Sequence, residues 1–201
     1  MSTAILETSA ALRESFVNHY RAIEAETELP MGFEFVDGEL KELNVSNHAA
    51  LVTNRISFLL NECVNRHQSG WMFSEAASYR CFPHDPDMKR RGDVTFHCLE
   101  RLTAAQAVAK GSFTLAPDIV VEVVSPHDTN YEVNAKRLDW LSAGAQLVWL
   151  VYPIQREVHV FRPEGSSVLY ADDTLTADPV LPGFSVAVAE LFRMPSEEIP
   201  K

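Results

Sequence analysis

Apolar residues recur with helical spacing at the start of the chain. Between residue 1 and about residue 26 they are separated by steps of three, four and seven, with charged residues mostly between them. These apolar positions are Ile5, Leu12, Phe16, Tyr20 and Ile23. Ser2 and Thr3 are suitable N-cap residues, so the pattern predicts an amphipathic helix. Residues 29–32 contain Pro30 and Gly32 and would end it.

Alternation of apolar and polar residues then predicts a β-hairpin. Residues 33–36 and 39–43 flank Asp37-Gly38, a dipeptide typical of two-residue hairpin turns. A second helix is predicted from Ser46 or Asn47 to about His67. Its inner stripe consists of Val52, Ile56, Leu59, Leu60 and Cys63.

Strands and helices alternate over the rest of the chain. The predicted strands cover residues 71–73, 79–82, 93–99, 116–126, 147–152 and 157–161, and residues 181–192 read as a strand leading into a final helical turn. Helices are predicted at residues 102–110 and 130–143, the second closed by Gly144. This order indicates an α/β fold in which helices cover a mixed sheet. We expect an N-terminal helical extension, residues 1–28, followed by one domain, residues 29–201.

Composition and charge narrow the classes of protein. The chain has 201 residues, which suits a single core, and no apolar run is long enough for a membrane helix. The three cysteines lack CxxC spacing, and the N-terminus lacks a secretory pattern, so a cytoplasmic protein without disulfides is expected. The net charge of −11 excludes a protein that binds nucleic acid by bulk positive charge. It does not exclude a nuclease with a local basic edge or a metal ion.

Glu122 is the most informative residue. It stands in a stretch, residues 119–124, whose other members are all apolar and which reads as a strand buried on both faces. A carboxylate there is costly unless it is paired or binds a cation, so a structural ion pair and a functional site both remain open. Asp93, 29 residues earlier, begins another predicted strand. If the two strands are neighbours, both carboxylates face one cleft, and their repulsion either raises one pKa or recruits a divalent cation.

Lys136 follows Glu122 by 14 residues, on the next predicted helix. Taken alone, it is better explained as a surface partner of Glu132, four residues earlier. Together with Asp93 and Glu122 it would complete a phosphodiesterase set. In such a set two acids hold Mg²⁺ or Mn²⁺, and an ammonium orients water or stabilises charge on the scissile phosphate.

At these residues the sequence resembles the Uma2-like (DUF820) endonuclease family of the PD-(D/E)XK superfamily. The resemblance covers about residues 33–192 and rests on the order of several short motifs. These are residues 33–40, His48, residues 91–94, residues 117–126, Lys136, Gly144, Trp149 and residues 181–184. It implies a restriction-endonuclease-like core that cleaves DNA, with metal-binding acids at Asp93 and Glu122. Val124 stands where a lysine is usual, and the resemblance implies that Lys136 replaces it.

Further residues are weaker candidates. The resemblance suggests Glu39 as another acid, although a solvated strand face explains it equally well. His48 could approach the cleft, but capping and packing at a helix start is favoured. Asp118 lies roughly 13 Å along a strand from Glu122, so the two can hardly share one metal ion, and local hydrogen bonding at the strand start is its expected role.

The expected partner is weakly bound nucleic acid, DNA rather than RNA, with no membrane. Lys89-Arg90-Arg91 is either a set of contacts to the DNA backbone or an ordinary solvated loop. A homodimer is a further expectation, since the superfamily often works as dimers. Two other functions stay open: a catalytically silent binding or assembly module, and a phosphodiesterase for a small nucleotide, which needs no basic groove.

Overall fold

The computed structural model describes residues 29–43 and 45–193, and the predicted extension, residues 1–28, lies outside them. The described chain begins with an antiparallel hairpin of β1 (Phe33–Val36) and β2 (Glu39–Glu42). The turn residues Asp37 and Gly38 have φ values of 54° and 74°, the left-handed conformation that two-residue hairpin turns require. The predicted hairpin is confirmed.

A mixed six-stranded sheet forms the centre of the structure. Its strands are β3 (Gly70–Ser74), β4 (Val94–Cys98), β5 (Ile119–Val123), β6 (Leu147–Tyr152), β7 (Glu157–Arg162) and β8 (Gly165–Leu169). They lie side by side in chain order, and β5 and β6 run parallel while the other four pairs are antiparallel. The predicted mixed α/β architecture is confirmed.

Helices cover both faces of this sheet. They are α1 (Asn47–His67), α2 (Ala104–Ala107), α3 (Asn130–Ala143) and α4 (Val188–Leu191), and β9 (Thr174–Thr176) pairs with β10 (Ser185–Ala187) in a separate ribbon. The longer helices begin and end where the sequence predicts. Ser46 caps α1, Thr129 and Glu132 form a capping box on α3, and Gly144 ends α3 with φ of 105°. No helix within the described residues is long and apolar enough to span a membrane.

Strand β5 shows how the core is divided. Ile119, Val121 and Val123 belong to the larger apolar cluster, which includes the inner stripe of α1. Val120 belongs to a second cluster on the opposite face, with Trp140 of α3. Because side chains alternate along a strand, Glu122 shares the face of Val120 and lies beneath α3.

The structure differs from the prediction in two predicted elements and in two additional strands. Residues 79–82 form no strand, because Tyr79 crosses the face of the sheet with a fully buried ring and makes only isolated bridges, to Arg90 and Phe113. The helix predicted for residues 102–110 is reduced to the four residues of α2. Strands β8 and β9 were not predicted. Most of β8 is solvent-exposed, so it lacks the apolar alternation that marks a half-buried strand.

Candidate active site

The pairing of β4 with β5 brings the two candidate acids together. Val94 is opposite Val121, so Asp93, immediately before β4, lies beside the end of β5 that carries Glu122. Asp93 Oδ2 accepts a hydrogen bond of 2.6 Å from the Val123 backbone N–H. The two predicted strands are therefore neighbours, as a shared cleft requires.

Lys136 of α3 reaches this cluster. Its Nζ lies 3.5 Å from Glu122 Oε2 and 3.3 Å from Oε1 of Glu34, a residue of β1. Glu132, the alternative partner considered from the sequence, instead caps α3 by accepting hydrogen bonds from Thr129. The ammonium thus bridges two buried carboxylates rather than forming a surface pair.

Trp140 holds Glu122 from the other side. Its Nε1–H donates a 2.7 Å hydrogen bond to Glu122 Oε1. The indole is fully buried, with its ring centroid 5.4 Å from that of Tyr79 and 5.2 Å from that of Phe82. One oxygen of Glu122 is therefore occupied by a rigid donor, while the other faces Lys136.

Arg90 links the remaining acids. Its Nη1 lies 3.0 Å from Glu34 Oε2, and its Nε donates a 2.7 Å hydrogen bond to Asp139 Oδ2. Lys136, Asp139 and Trp140 stand at relative positions i, i+3 and i+4, so they share one face of α3. This face of α3 therefore contacts Glu34, Glu122 and Arg90, the charged groups of the cluster other than Asp93.

Burial raises the pKa of Glu122, and the neighbouring carboxylates of Asp93 and Glu34 add to this effect. Burial likewise raises the pKa of Asp93. For Lys136 burial lowers the pKa, but the three surrounding carboxylates outweigh burial and raise it. The lysine therefore stays charged, whereas both acids hold their protons more tightly than usual.

The cluster carries more negative than positive charge. Among the described residues, Glu34, Asp93, Glu122 and Asp139 face two permanent cations, Lys136 and Arg90, and Asp139 also lies 3.1 Å from Nε2 of His84. When all four acids are ionised, the negative charge that the two permanent cations leave unbalanced is costly, and a divalent cation would neutralise it. Among the described residues no three His, Cys, Asp or Glu side chains form a ready metal cluster. Mg²⁺ typically uses only one or two protein carboxylates, with water and phosphate oxygens completing its shell, so this donor set suits it.

Two neighbouring cavities border the cluster. A cavity of about 40 Å³ touches Glu122 and Lys136, which is room for about one water molecule or ion. It shares Asp128, Glu132 and Lys136 with a larger cleft of about 330 Å³. The two cavities therefore lie next to each other at the N-terminal half of α3.

Glu34 was not predicted from the sequence, where Glu39 was the hairpin acid considered, with a solvated strand face as an equal alternative. Glu39 is exposed on β2, whereas Glu34 is only 2% exposed. The available signal was that Glu34 stands between Phe33 and Phe35, in a strand with two aromatic neighbours. His48, the second residue of α1, is half-buried and is not part of the charged cluster.

The solvated-loop alternative for Lys89, Arg90 and Arg91 is wrong. All three are buried, with exposures of 4%, 5% and 3%, and such burial does not favour the alternative of contacts to the DNA backbone. The Arg91 guanidinium donates to backbone carbonyls, namely those of Leu29, Pro30, Phe33, Glu75 and Ala76. These arginines satisfy buried acceptors, which is the physical reason that they leave the surface.

The mixed sheet and its acid–lysine cluster define a restriction-endonuclease-like α/β protein. The chain belongs to the Uma2 family, because the family model described as "Uma2: Putative restriction endonuclease" matches residues 17–189. A solved structure described as a "putative nuclease belonging to DUF820" from Anabaena variabilis ATCC 29413 has the same fold, with a TM-score of 0.73 and 19% sequence identity. The match covers 88% of this chain and 96% of that chain. No curated protein sequence matches significantly.

Proposed function

We propose that this protein is a metal-dependent nuclease that hydrolyses phosphodiester bonds in DNA. One observation carries the proposal: Asp93, Glu122 and Lys136 converge in one partly buried cluster with an excess of negative charge. Membership of a family described as restriction endonucleases supports DNA as the substrate. Asp93 and Glu122 would be the ligands of Mg²⁺ or Mn²⁺, and Lys136 would be the catalytic cation.

The bound ion would supply Lewis acidity, polarising the phosphate and making an attacking water more acidic. The side chains of the protein would orient the metal ligand and stabilise the developing charge. Trp140 fixes the orientation of Glu122 through its hydrogen bond to Oε1. Glu34 holds Lys136 beside Glu122, where the ammonium stabilises negative charge that develops on the phosphate during in-line attack. The surrounding acids keep Lys136 protonated for this role.

The direct test is cleavage of supercoiled plasmid and of single-stranded circular DNA, with Mg²⁺ or Mn²⁺. Glu122→Gln, Asp93→Asn and Lys136→Met should each lower the rate by about 100-fold or more, since each removes a charge that acts on the phosphate. Glu62→Gln is the matched control, because Glu62 is a half-exposed partner of Arg66 on α1, remote from the cluster in its contacts. It should cleave like the unmodified protein.

Retention of full cleavage by Glu122→Gln would overturn the assignment. A protein that neither cleaves either DNA nor binds Mn²⁺ in a calorimetric titration would instead be the catalytically silent binding module. Mn²⁺ binding that is lost in Asp93→Asn supports the enzyme.

A further inference from the structure

The larger cleft beside the acid–lysine cluster carries a further inference, which rests on the proposed nuclease function. One wall is the β1–β2 hairpin, the other is the N-terminal half of α3, and Met88 and Arg90 line its base. Glu34, Arg90 and Lys136 line the cleft and also belong to the cluster. Whatever occupies the cleft therefore lies next to the proposed scissile phosphate.

The charge of the cleft argues against a polyanion lying along it. Six carboxylates line it, against three permanent cations, Lys41, Arg90 and Lys136. Arg90 is already paired with Glu34 and Asp139, and the adjoining Lys89 and Arg91 are buried. Duplex DNA carries one phosphate per 1.7 Å of its axis, so a duplex in this cleft would meet strong repulsion.

A single nucleotide brings much less negative charge into the cleft than a duplex does. It brings one phosphate, which Lys136 and a divalent cation would neutralise, and one uncharged base. The exocyclic amino groups of bases donate hydrogen bonds to carboxylates, so acidic walls suit a base better than a phosphate chain. The cleft volume of about 330 Å³ lies within the range of small-ligand sites, about 300–1,000 Å³.

Tyr131 supplies the aromatic surface that such a base needs. It lines the cleft from the first turn of α3 and is 83% exposed, which is unusual for a large ring. Lys136, on the same helix, lines the cleft as well. Base stacking on an exposed aromatic ring is independent of sequence and is a common means of holding unpaired nucleotides.

We propose that this cleft binds one unpaired nucleobase, stacked on Tyr131, next to the phosphate that is cleaved. The substrate is then an unpaired nucleotide, either within a single strand or bulge or in a small nucleotide diester. Intact duplex DNA is cut poorly.

The test is binding of a fluorescent 12-nucleotide single strand and of its duplex, measured by anisotropy with Ca²⁺ replacing Mg²⁺ to suppress cleavage. We expect the single strand to bind at least 10-fold more tightly than the duplex. Tyr131→Ala should weaken single-strand binding by about 5- to 150-fold, the effect of one lost stacking contact, and Tyr131→Phe should restore it. Tyr170→Ala is the matched control, since Tyr170 is 59% exposed and lies outside the cleft.

A dinucleotide competitor separates the two sources of an unpaired base. If it displaces the single strand at micromolar concentration, a small diester suffices as ligand; if only longer strands compete, the substrate is a polymer. Equal binding of duplex and single strand, or an equal effect of Tyr131→Ala and Tyr170→Ala, overturns the cleft assignment. In that case the proposed nuclease function would still be supported by Mn²⁺-dependent cleavage. Conversely, single-strand binding by a protein that binds no metal would overturn the proposed nuclease function and leave the cleft assignment intact.

Discussion

Asp118, immediately before β5, and Glu122, near the other end of β5, are both buried carboxylates, and the two are held in different ways. Asp118 Oδ1 accepts hydrogen bonds from Arg101 Nη1 at 2.5 Å and from Gln146 Nε2 at 2.6 Å. Its Oδ2 accepts a 2.8 Å hydrogen bond from the Cys98 backbone N–H. Glu122 has one neutral donor, Trp140, and shares a single lysine with Glu34.

This difference separates a structural acid from a candidate site acid. Asp118 has its own cation and neutral donors on both oxygens, so its charge needs nothing more from outside. Glu122 lies among other acids, and the surplus of negative charge leaves a requirement that a bound cation can meet. Burial alone does not distinguish the two residues, since both are below 10% exposed.

The largest effect on stability is expected at the Asp118 end. Asp118→Ala removes the acceptor shared by Arg101, Gln146 and the Cys98 N–H. Leaving these donors without a partner should lower the free energy of unfolding by about 3–5 kcal/mol. Urea unfolding followed by circular dichroism measures this loss. A loss below about 1 kcal/mol would mean that Asp118 is not the structural anchor of β4, β5 and β6.

At the Glu122 end the buried acids are expected to lower the free energy of unfolding as they ionise, when no metal is bound. Burial raises the pKa of Glu122 and Asp93, so the folded protein binds more protons than the unfolded chain at pH values between their ordinary and their raised pKa. Unfolding free energy should therefore fall as pH rises through that window, by about 1–3 kcal/mol from pH 5 to pH 9.

Glu122→Gln should flatten this decline, because glutamine carries no charge at any pH. The measurement is the urea midpoint at several pH values in EDTA. Saturating Mg²⁺ should restore stability at the alkaline end, since the metal binds only the ionised acids. A slope that is unchanged in Glu122→Gln would show that Glu122 does not titrate in this range.

The smallest effect is expected from the donor that orients Glu122. Trp140→Phe keeps a ring against Tyr79 and Phe82 but removes the N–H, so Mn²⁺ affinity should fall by about 10-fold, the equivalent of one hydrogen bond to a charged group. Trp149→Phe is the control, because Trp149 is also fully buried and its Nε1 has no partner among the described residues. Equal affinities in both variants would show that the indole only fills space.

Local signals predicted much of the fold from the sequence. Asp37-Gly38 predicted the hairpin turn, and Gly144 predicted the end of α3, because a turn or a cap depends on residues close in the chain. Glu122 was a candidate because a charge within an apolar strand is visible without a structure, and Asp93 followed from a similar context. Lys136 became a candidate only together with these two acids and through the family resemblance.

The remainder depended on contacts between distant residues. Glu34 and Arg90 are 56 residues apart in the chain and pair only after folding. From the sequence alone, the three consecutive basic residues 89–91 therefore look solvated, and the acidic residue Glu34 on the hairpin looks exposed. Asp118 was expected to make local hydrogen bonds, yet its side-chain donors come from residues 17 to 28 positions away. Patterns along the chain record which residues are unusual, but not which partners make them stable.

We propose that Glu122 and Asp93 hold a divalent cation and that Asp118 does not. Isothermal titration with Mn²⁺ at pH 8 tests it most directly, on the unmodified protein, Glu122→Gln and Asp118→Asn. We predict one Mn²⁺ per chain for the unmodified protein and for Asp118→Asn, and at least a 100-fold loss of affinity for Glu122→Gln. Unchanged binding in Glu122→Gln, or no binding by a folded unmodified protein at millimolar Mn²⁺, would contradict the claim.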